Sequence, residues 1–232
     1  MDERAEAYRR IIGNYCERAG YPDFWAEPVN AITNLAFIIA ALIAGRLALR
    51  EGRVDVPVAF LTTNLVVIGI GSFLFHTFST RWAAATDSIP IMIFIVAYLF
   101  SAMLRFVGLV WWQAILATVV AMVAMSGLAS LFYATLRPVI GGSVAYLPAL
   151  LLLPAVGSIL AIKRHPAAPW LFVAGAVFTV SLTFRALDQP LCPQWPLGTH
   201  FMWHVLNGVV LGTLLVALVR HGRSAETRGA PA

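Results

Sequence analysis

Long apolar runs separated by short polar stretches dominate this chain and restrict it to a membrane fold. A transmembrane helix needs about 20 consecutive, mostly apolar residues. Seven such runs cover residues 28–49, 56–78, 84–105, 109–132, 143–162, 168–187 and 199–220. Because lipid offers no water to the backbone, each run is predicted to form a helix. The predicted fold class is therefore all-α, an integral membrane bundle of seven transmembrane helices with short loops.

The segments outside this bundle are short. Residues 1–27 are predicted to form an N-terminal interfacial segment, residues 28–220 the membrane domain, and residues 221–232 a disordered polar tail. The charged start MDERAEAYRR is not followed by an early apolar core, so no cleavable signal peptide is expected.

The basic residues indicate topology rather than nucleic-acid binding. Only 12% of residues are charged despite a net charge of +5, and the arginines are scattered through short loops. Such scatter excludes a phosphate-binding stripe. Nine Lys and Arg residues share the C-terminal side of the bundle against three on the other side, or against seven if the N-terminal segment is included. The bias predicts a cytoplasmic C-terminus and an extracytoplasmic or lumenal N-terminus.

Ionisable side chains at the ends of the runs collect on one side of the membrane. Alternating topology places all of them on the N-terminal side: Glu27, His76, Asp87, Asp188, His200 and His204. Ionisable groups in a membrane segment are costly and are functional candidates by default. The sequence therefore predicts a site at this end of the bundle.

Three histidines in this set suggest a metal site. His200 and His204 are four residues apart, which places them on one helical face. His76 reaches the same depth from another run. Three histidines with an open fourth position are typical of catalytic zinc, which lowers the pKa of a bound water to about 7. The alternative is a set of core histidines bonded to the backbone or to one another.

Two further polar residues come from neighbouring positions. Asp87 follows His76 across a short turn and is a candidate to hold and move a proton, although it also suits a helix cap. Ser72 lies one turn before His76, and its hydroxyl is a candidate to stabilise an oxyanion. Alternatively, Ser72 is one of the small residues that let membrane helices pack closely.

The N-terminal segment offers a cysteine and several oxygen donors. Cys16 and Cys192 share the N-terminal side, either as a disulfide or as free thiols. The oxygen donors suit calcium or simply belong to an interfacial helix. They are Asn14, Glu17, Asp23, Glu27 and Asn30.

Four stretches together resemble the alkaline ceramidase family. GSFLFHTFSTRWAAATDSIP is similar to its Ser-x-x-x-His motif with a downstream Asp, and GTHFMWHVLNG to its His-x-x-x-His motif. NYCERAGYPDFWAEPVNAITN is similar to its N-terminal segment, and RALDQPLCPQW to the segment before its last helix. The resemblance runs from about Asn14 to Arg220. The wider superfamily includes adiponectin-receptor and haemolysin III proteins.

The resemblance implies a seven-helix zinc amidase that hydrolyses the N-acyl bond of ceramide. It implies zinc ligation by His76, His200 and His204, with Asp87 and Ser72 catalytic. It further implies a disulfide between Cys16 and Cys192. In some members the N-terminal segment binds calcium, a role that maps onto Asn14, Tyr15, Glu17, Ala19 and Glu27, although Asn14, Tyr15 and Ala19 depart from the residues usual there.

Two other classes of function compete with an amidase. One is an adiponectin-receptor-like receptor whose zinc is structural or weakly hydrolytic. The other is a transporter, haem protein or retinal protein, but the only lysine, Lys163, lies in a loop and the paired histidines share one face. The expected partners are a ceramide-like lipid substrate and the bilayer, with neither nucleic acid nor an obligate protein partner.

Overall fold

The structure is a computed structural model that describes residues 15–222, and this part of the chain is all-helical without a β-strand. Its α-helices are α1 (Pro28–Thr33), α2 (Leu35–Arg50), α3 (Val56–Phe78), α4 (Arg81–Ala102), α5 (Trp111–Ile140), α6 (Leu147–Ile162), α7 (Ala168–Leu191) and α8 (His200–His221). Short 3-10 turns occupy Cys16–Arg18 and Gly141–Tyr146, and a π-helical turn over Met103–Val107 extends α4. The all-α prediction is confirmed. Asn14 and the tail from residue 223 lie outside the described residues.

The long helices have the apolar exterior of a multi-pass membrane protein. Within residues 15–222, six stretches are long and apolar enough to cross a membrane: Pro28–Arg50, Val56–Phe78, Arg81–Val107, Trp111–Ile162, Ala168–Leu191 and His200–His221. Large apolar side chains face outward, such as Leu131 at 77% and Ile162 at 85% exposure. By this measure α5, the 3-10 turn and α6 form one stretch, so the predicted count of seven is not confirmed.

The fourth stretch differs from the predicted loop at residues 133–142. Helix α5 continues through Pro138 and ends two residues later, at Ile140. The proline removes one backbone donor, and the last turn of the helix tolerates that loss. Gly141 has a φ of +55°, a left-handed value that a helix does not accommodate, and the chain changes direction there. The sequence predicted a loop over residues 133–142, whereas the helix ends only at Ile140 and the turn begins at Gly141.

The helices pack in a ring. Neighbouring pairs are α2 with α3, α3 with α4, α4 with α5, α5 with α6, α6 with α7 and α7 with α8, and α8 closes the ring against α2. Leu61, Leu65 and Ile68 of α3, with Leu215 and Leu218 of α8, are fully buried. This apolar interior fixes the two helices that carry the histidines. The short α1 packs against both α3 and α8 at the N-terminal side.

Candidate metal centre

The structure brings the three predicted histidines together. His76 lies in the last turn of α3, and His200 and His204 occupy the first two turns of α8. All three are buried, and one ligand atom from each lies within 4.8 Å of the others. Side chains from two non-consecutive helices therefore converge, as the alternating topology predicts.

Hydrogen bonds orient two of these imidazoles. His76 Nδ1 lies 2.6 Å from Glu27 Oε2, and the carboxylate can only accept, so Nδ1 donates. His204 Nδ1 lies 3.0 Å from Thr33 Oγ1, whose own proton goes to the Val29 carbonyl at 2.8 Å. Both rings thus carry the proton on Nδ1 and leave Nε2 as a lone-pair donor. A carboxylate or hydroxyl behind a ligating imidazole is the usual arrangement in metal sites.

His200 is held differently. Its ring stacks on Tyr15 with centroids 3.7 Å apart, and its buried Nδ1 has no hydrogen-bond partner among the described residues. A buried imidazole nitrogen without a partner is costly unless something else binds it. Together with the two free Nε2 atoms, this orphaned nitrogen fits a site built for a metal ion, and three imidazoles suit zinc.

Asp87 and Ser72 face the same space from two adjacent helices. Ser72 lies one turn before His76 in α3, and it lines the same polar space as Asp87. The backbones of α3 and α4 approach closely here, since a Cβ at Gly71 would lie only 2.0 Å from the Thr86 carbonyl oxygen. Asp87 is not the cap that the sequence suggested as an alternative. Helix α4 begins at Arg81, so Asp87 lies in its second turn.

A polar cavity of about 150 Å³ borders these groups. Its lining includes Tyr15, Ser72, Asp87, Arg185, His200 and His204. A second, apolar cavity shares Tyr146 and Trp203 with it and extends between the helices along Phe94, Leu152, Leu171 and Leu214. A polar cavity therefore adjoins an apolar one with space for a hydrocarbon chain.

Arg185 is a site residue that the sequence reading missed. In the sequence it serves only as evidence of topology, although the predicted run 168–187 contains it; in the structure it lies within α7 and lines the polar cavity. Its Nη1 donates to Ser143 Oγ at 2.9 Å, and its guanidinium lies over the rings of Tyr146 and Trp203. Its position three residues before Asp188, in an otherwise apolar run, is the signal that could have revealed it.

Covalent and polar links fasten the N-terminal segment over the site. Cys16 and Cys192 are paired at disulfide distance with Cα atoms 5.3 Å apart. Asp188 Oδ2 accepts from Cys16 N at 3.1 Å, while its Oδ1 accepts from Thr199 N at 2.8 Å and His200 N at 3.0 Å. Asp188 is thereby structural, since it satisfies free amides at the start of α8.

The glycine that opens the motif GTHFMWH is required by this arrangement. Gly198 has a φ of +68°, and a Cβ there would lie 2.2 Å from Asp188 Oδ1 and 2.7 Å from Cys16 Cβ. No other residue fits between the carboxylate and the disulfide.

The acidic residues mapped to calcium are engaged by protein groups. Glu17 accepts from Val29 N at 2.6 Å and Asn30 N at 2.8 Å. Glu27 accepts from Arg18, His76 and Asn30. Burial alone would raise the pKa of Glu27, but the hydrogen bonds with His76 and Arg18 together hold that pKa below its usual range.

The other residues mapped to calcium are Tyr15 and Ala19, which would contribute backbone carbonyls, and Asn14. Tyr15 O accepts from Arg18 N at 3.2 Å, and Ala19 adopts a left-handed conformation with φ 47° at the end of the 3-10 turn. Asn14 is outside the described residues. The Tyr15 side chain, by contrast, reaches the cavity, and burial raises the pKa of its hydroxyl far above the usual value, so it stays protonated.

Comparison with known proteins decides the family. The sequence model of the family described as Ceramidase matches residues 13–229, nearly the whole chain. The chain belongs to the ceramidase family. No curated protein matches it. Membership confirms the resemblance seen in the four motifs, and a ceramidase implies a hydrolase that acts on the amide bond of a lipid substrate.

Proposed function

We propose that this protein is a zinc-dependent intramembrane amidase that hydrolyses the N-acyl bond of ceramide, or of a related N-acyl lipid, to a sphingoid base and a free fatty acid. The observation that carries the proposal is the convergence of three buried imidazoles, with ligand atoms within 4.8 Å, beside a polar cavity. That cavity adjoins an apolar one, so an amide and its acyl chain each have a suitable environment.

The histidines would hold the metal. His76, His200 and His204 supply neutral imidazole nitrogens, and a bound zinc would act as a Lewis acid on the amide carbonyl and on water. Glu27 and Thr33 fix the rings of His76 and His204 by their Nδ1 atoms. These partners keep the ligand set rigid before an ion binds.

Asp87 is the proposed general base and acid. Its carboxylate accepts a proton as the water oxygen bonds to the carbonyl carbon, and it returns that proton to the amine nitrogen as the C–N bond breaks. Ser72 lines the cavity beside Asp87, and its hydroxyl would donate to the oxygen that gains charge.

The apolar cavity supplies the space for the acyl chain. Tyr146 and Trp203 stand where the two cavities meet, with ring centroids 4.8 Å apart. They would contact the lipid at the junction of its amide and hydrocarbon parts. The chain would reach this cavity between helices.

The membrane topology completes the proposal. Lys163, which follows α6, donates to the Val107 carbonyl at 2.9 Å, next to the start of α5. Tyr146, at the other end of α6, lines the site. This return of α6 towards the start of α5 supports two crossings by residues 111–162, seven in all. The charge bias then puts the site on the extracytoplasmic or lumenal side and the C-terminus in the cytoplasm.

Three variants test the proposal. His200→Ala should lose zinc and ceramide hydrolysis, while His221→Ala, at the opposite end of the same helix, should keep both. Asp87→Asn should keep zinc and lose activity about 10²- to 10⁴-fold, the usual contribution of a general acid–base group. Unchanged hydrolysis by His200→Ala would contradict the proposal. Wild-type zinc without any turnover would favour the adiponectin-receptor-like alternative.

A further inference from the structure

Arg18 is a fully buried arginine in the N-terminal segment. Its relative exposure is 0%, and every acceptor around its guanidinium is an oxygen. Nε donates to Glu27 Oε1 at 2.5 Å, and Nη1 donates to the carbonyls of Tyr21 at 3.1 Å and Asp23 at 3.2 Å. Nη2 donates to the His76 carbonyl at 2.8 Å. A buried charge is tolerated only when it is paired and hydrogen-bonded in this way.

These oxygen contacts resemble the environment of a hard cation, yet the described donors do not fit calcium. A calcium ion takes six to eight oxygen ligands. Both Glu17 oxygens bind the first amides of α1, and both Glu27 oxygens already bind Arg18, His76 or Asn30. A calcium ion at Glu27 would compete with the guanidinium, the imidazole and the Asn30 amide for the same two carboxylate oxygens.

We infer that Arg18 is the permanent cation of the N-terminal segment, in the role assigned to calcium by the family resemblance, and that it positions His76 through Glu27. The chain of contacts runs from guanidinium to carboxylate to Nδ1 of the imidazole. This inference rests on the proposed function where it concerns zinc. The calcium independence that it predicts does not depend on zinc.

Two contacts explain why a guanidinium suits this role. The planar guanidinium donates from Nε to Glu27 and from Nη2 to the His76 carbonyl. That carbonyl lies near the C-terminal end of α3. Cations are favourable at helix C-termini, where carbonyls lack amide partners. The disulfide at Cys16, two residues away, anchors the same turn to the loop before α8. Arg18 thereby ties the segment, Glu27 and His76 into one rigid unit.

The first arm of the test uses the wild-type protein. Its melting temperature and its ceramide hydrolysis should be the same in calcium-depleted buffer without a chelator as in calcium raised to about 10 mM, above the range in which weak extracellular calcium modules bind. A calcium-dependent rise in either quantity would overturn the inference. The melting-temperature comparison holds whether or not zinc binds.

The second arm measures zinc affinity by competition with a chromogenic chelator. Arg18→Met, which keeps bulk but not charge, should weaken zinc binding about 10- to 100-fold, the usual effect of losing support behind a ligating histidine. The zinc affinity of Arg18→Lys should lie between those of Arg18→Met and wild type, because lysine keeps the charge but not the several fixed donors of the guanidinium. Equal affinities for the Lys and Met variants would show that only packing matters and would overturn the inference.

A matched control separates positioning from general destabilisation. Arg105 is also buried and paired with an acid, Asp55 at 2.7 Å, but it lies at the opposite end of the bundle. Arg105→Met should lower the melting temperature without changing zinc affinity. If Arg105→Met weakens zinc as much as Arg18→Met, Arg18 has no positioning role. If the wild type binds no zinc, the proposed function fails, and the calcium arm alone decides the role of Arg18.

Discussion

Replacement of Asp188 by alanine should destabilise the protein strongly, although Asp188 takes no part in the proposed chemistry. Asp188 is 1% exposed and accepts three backbone hydrogen bonds, from Cys16 N, Thr199 N and His200 N. Each buried donor left without a partner costs about 1–3 kcal/mol, so the alanine variant should lose about 3–9 kcal/mol. At about 2–4 °C per kcal/mol for a chain of this size, its melting temperature should fall by at least about 6 °C.

The asparagine variant should show a graded effect. Asp188→Asn keeps the oxygen that serves Thr199 N and His200 N, but it turns an NH₂ group towards Cys16 N. One lost bond predicts about 1–3 kcal/mol. Asp23→Ala is the control, because the Asp23 side chain is exposed. A surface change of this kind should stay within about 0.5 kcal/mol.

Thermal unfolding in detergent, followed by circular dichroism, measures all three variants under one set of conditions. The expected order of melting temperatures is Asp23→Ala, then Asp188→Asn, then Asp188→Ala at the lowest value. An alanine variant as stable as wild type would refute the assignment of Asp188 as the anchor of α8. So would an asparagine variant less stable than the alanine variant.

Two further perturbations test the close helix contact and the disulfide. Gly71→Ala should lower both the melting temperature and turnover, because its Cβ would meet the Thr86 carbonyl oxygen at 2.0 Å; Gly127→Ala, with nothing within 4 Å, should leave both unchanged. Equal behaviour of these two variants would contradict the packing described. Serine at both Cys16 and Cys192 should cost about 2–5 kcal/mol, as loss of a native disulfide usually does. A dithiothreitol-insensitive melting temperature in the wild type would show that this disulfide does not support the fold.

Helix periodicity and alternating topology made the position of the site predictable from the sequence. Apolar runs of membrane length set the helices, and the side on which each run ends follows from counting crossings. His200 and His204 share a face because they are one turn apart. The proximity of His76 to these two histidines followed from their common depth in the membrane. The zinc itself and the roles of Asp87 and Ser72 stay predictions.

Other features depend on tertiary contacts that no local pattern contains. The positions of Arg18 and Arg185 in the sequence resemble those of topology arginines, and only the folding of the N-terminal segment over α3 and α8 gives them partners. Because α4 begins at Arg81, Asp87 lies in its second turn and is not a cap. The break before α6 followed a glycine conformation rather than the nearby proline. Close packing and backbone strain decide such details.

The most direct measurement compares the zinc content and the ceramide hydrolysis of one purified preparation before and after metal removal. Wild-type protein should contain about one zinc per chain and release fatty acid from ceramide. Chelation should abolish both, and added zinc should restore both in proportion, as expected for a catalytic metal. Fatty acid release that continues after zinc has been removed would contradict zinc-dependent hydrolysis, as would a zinc-loaded protein that releases none.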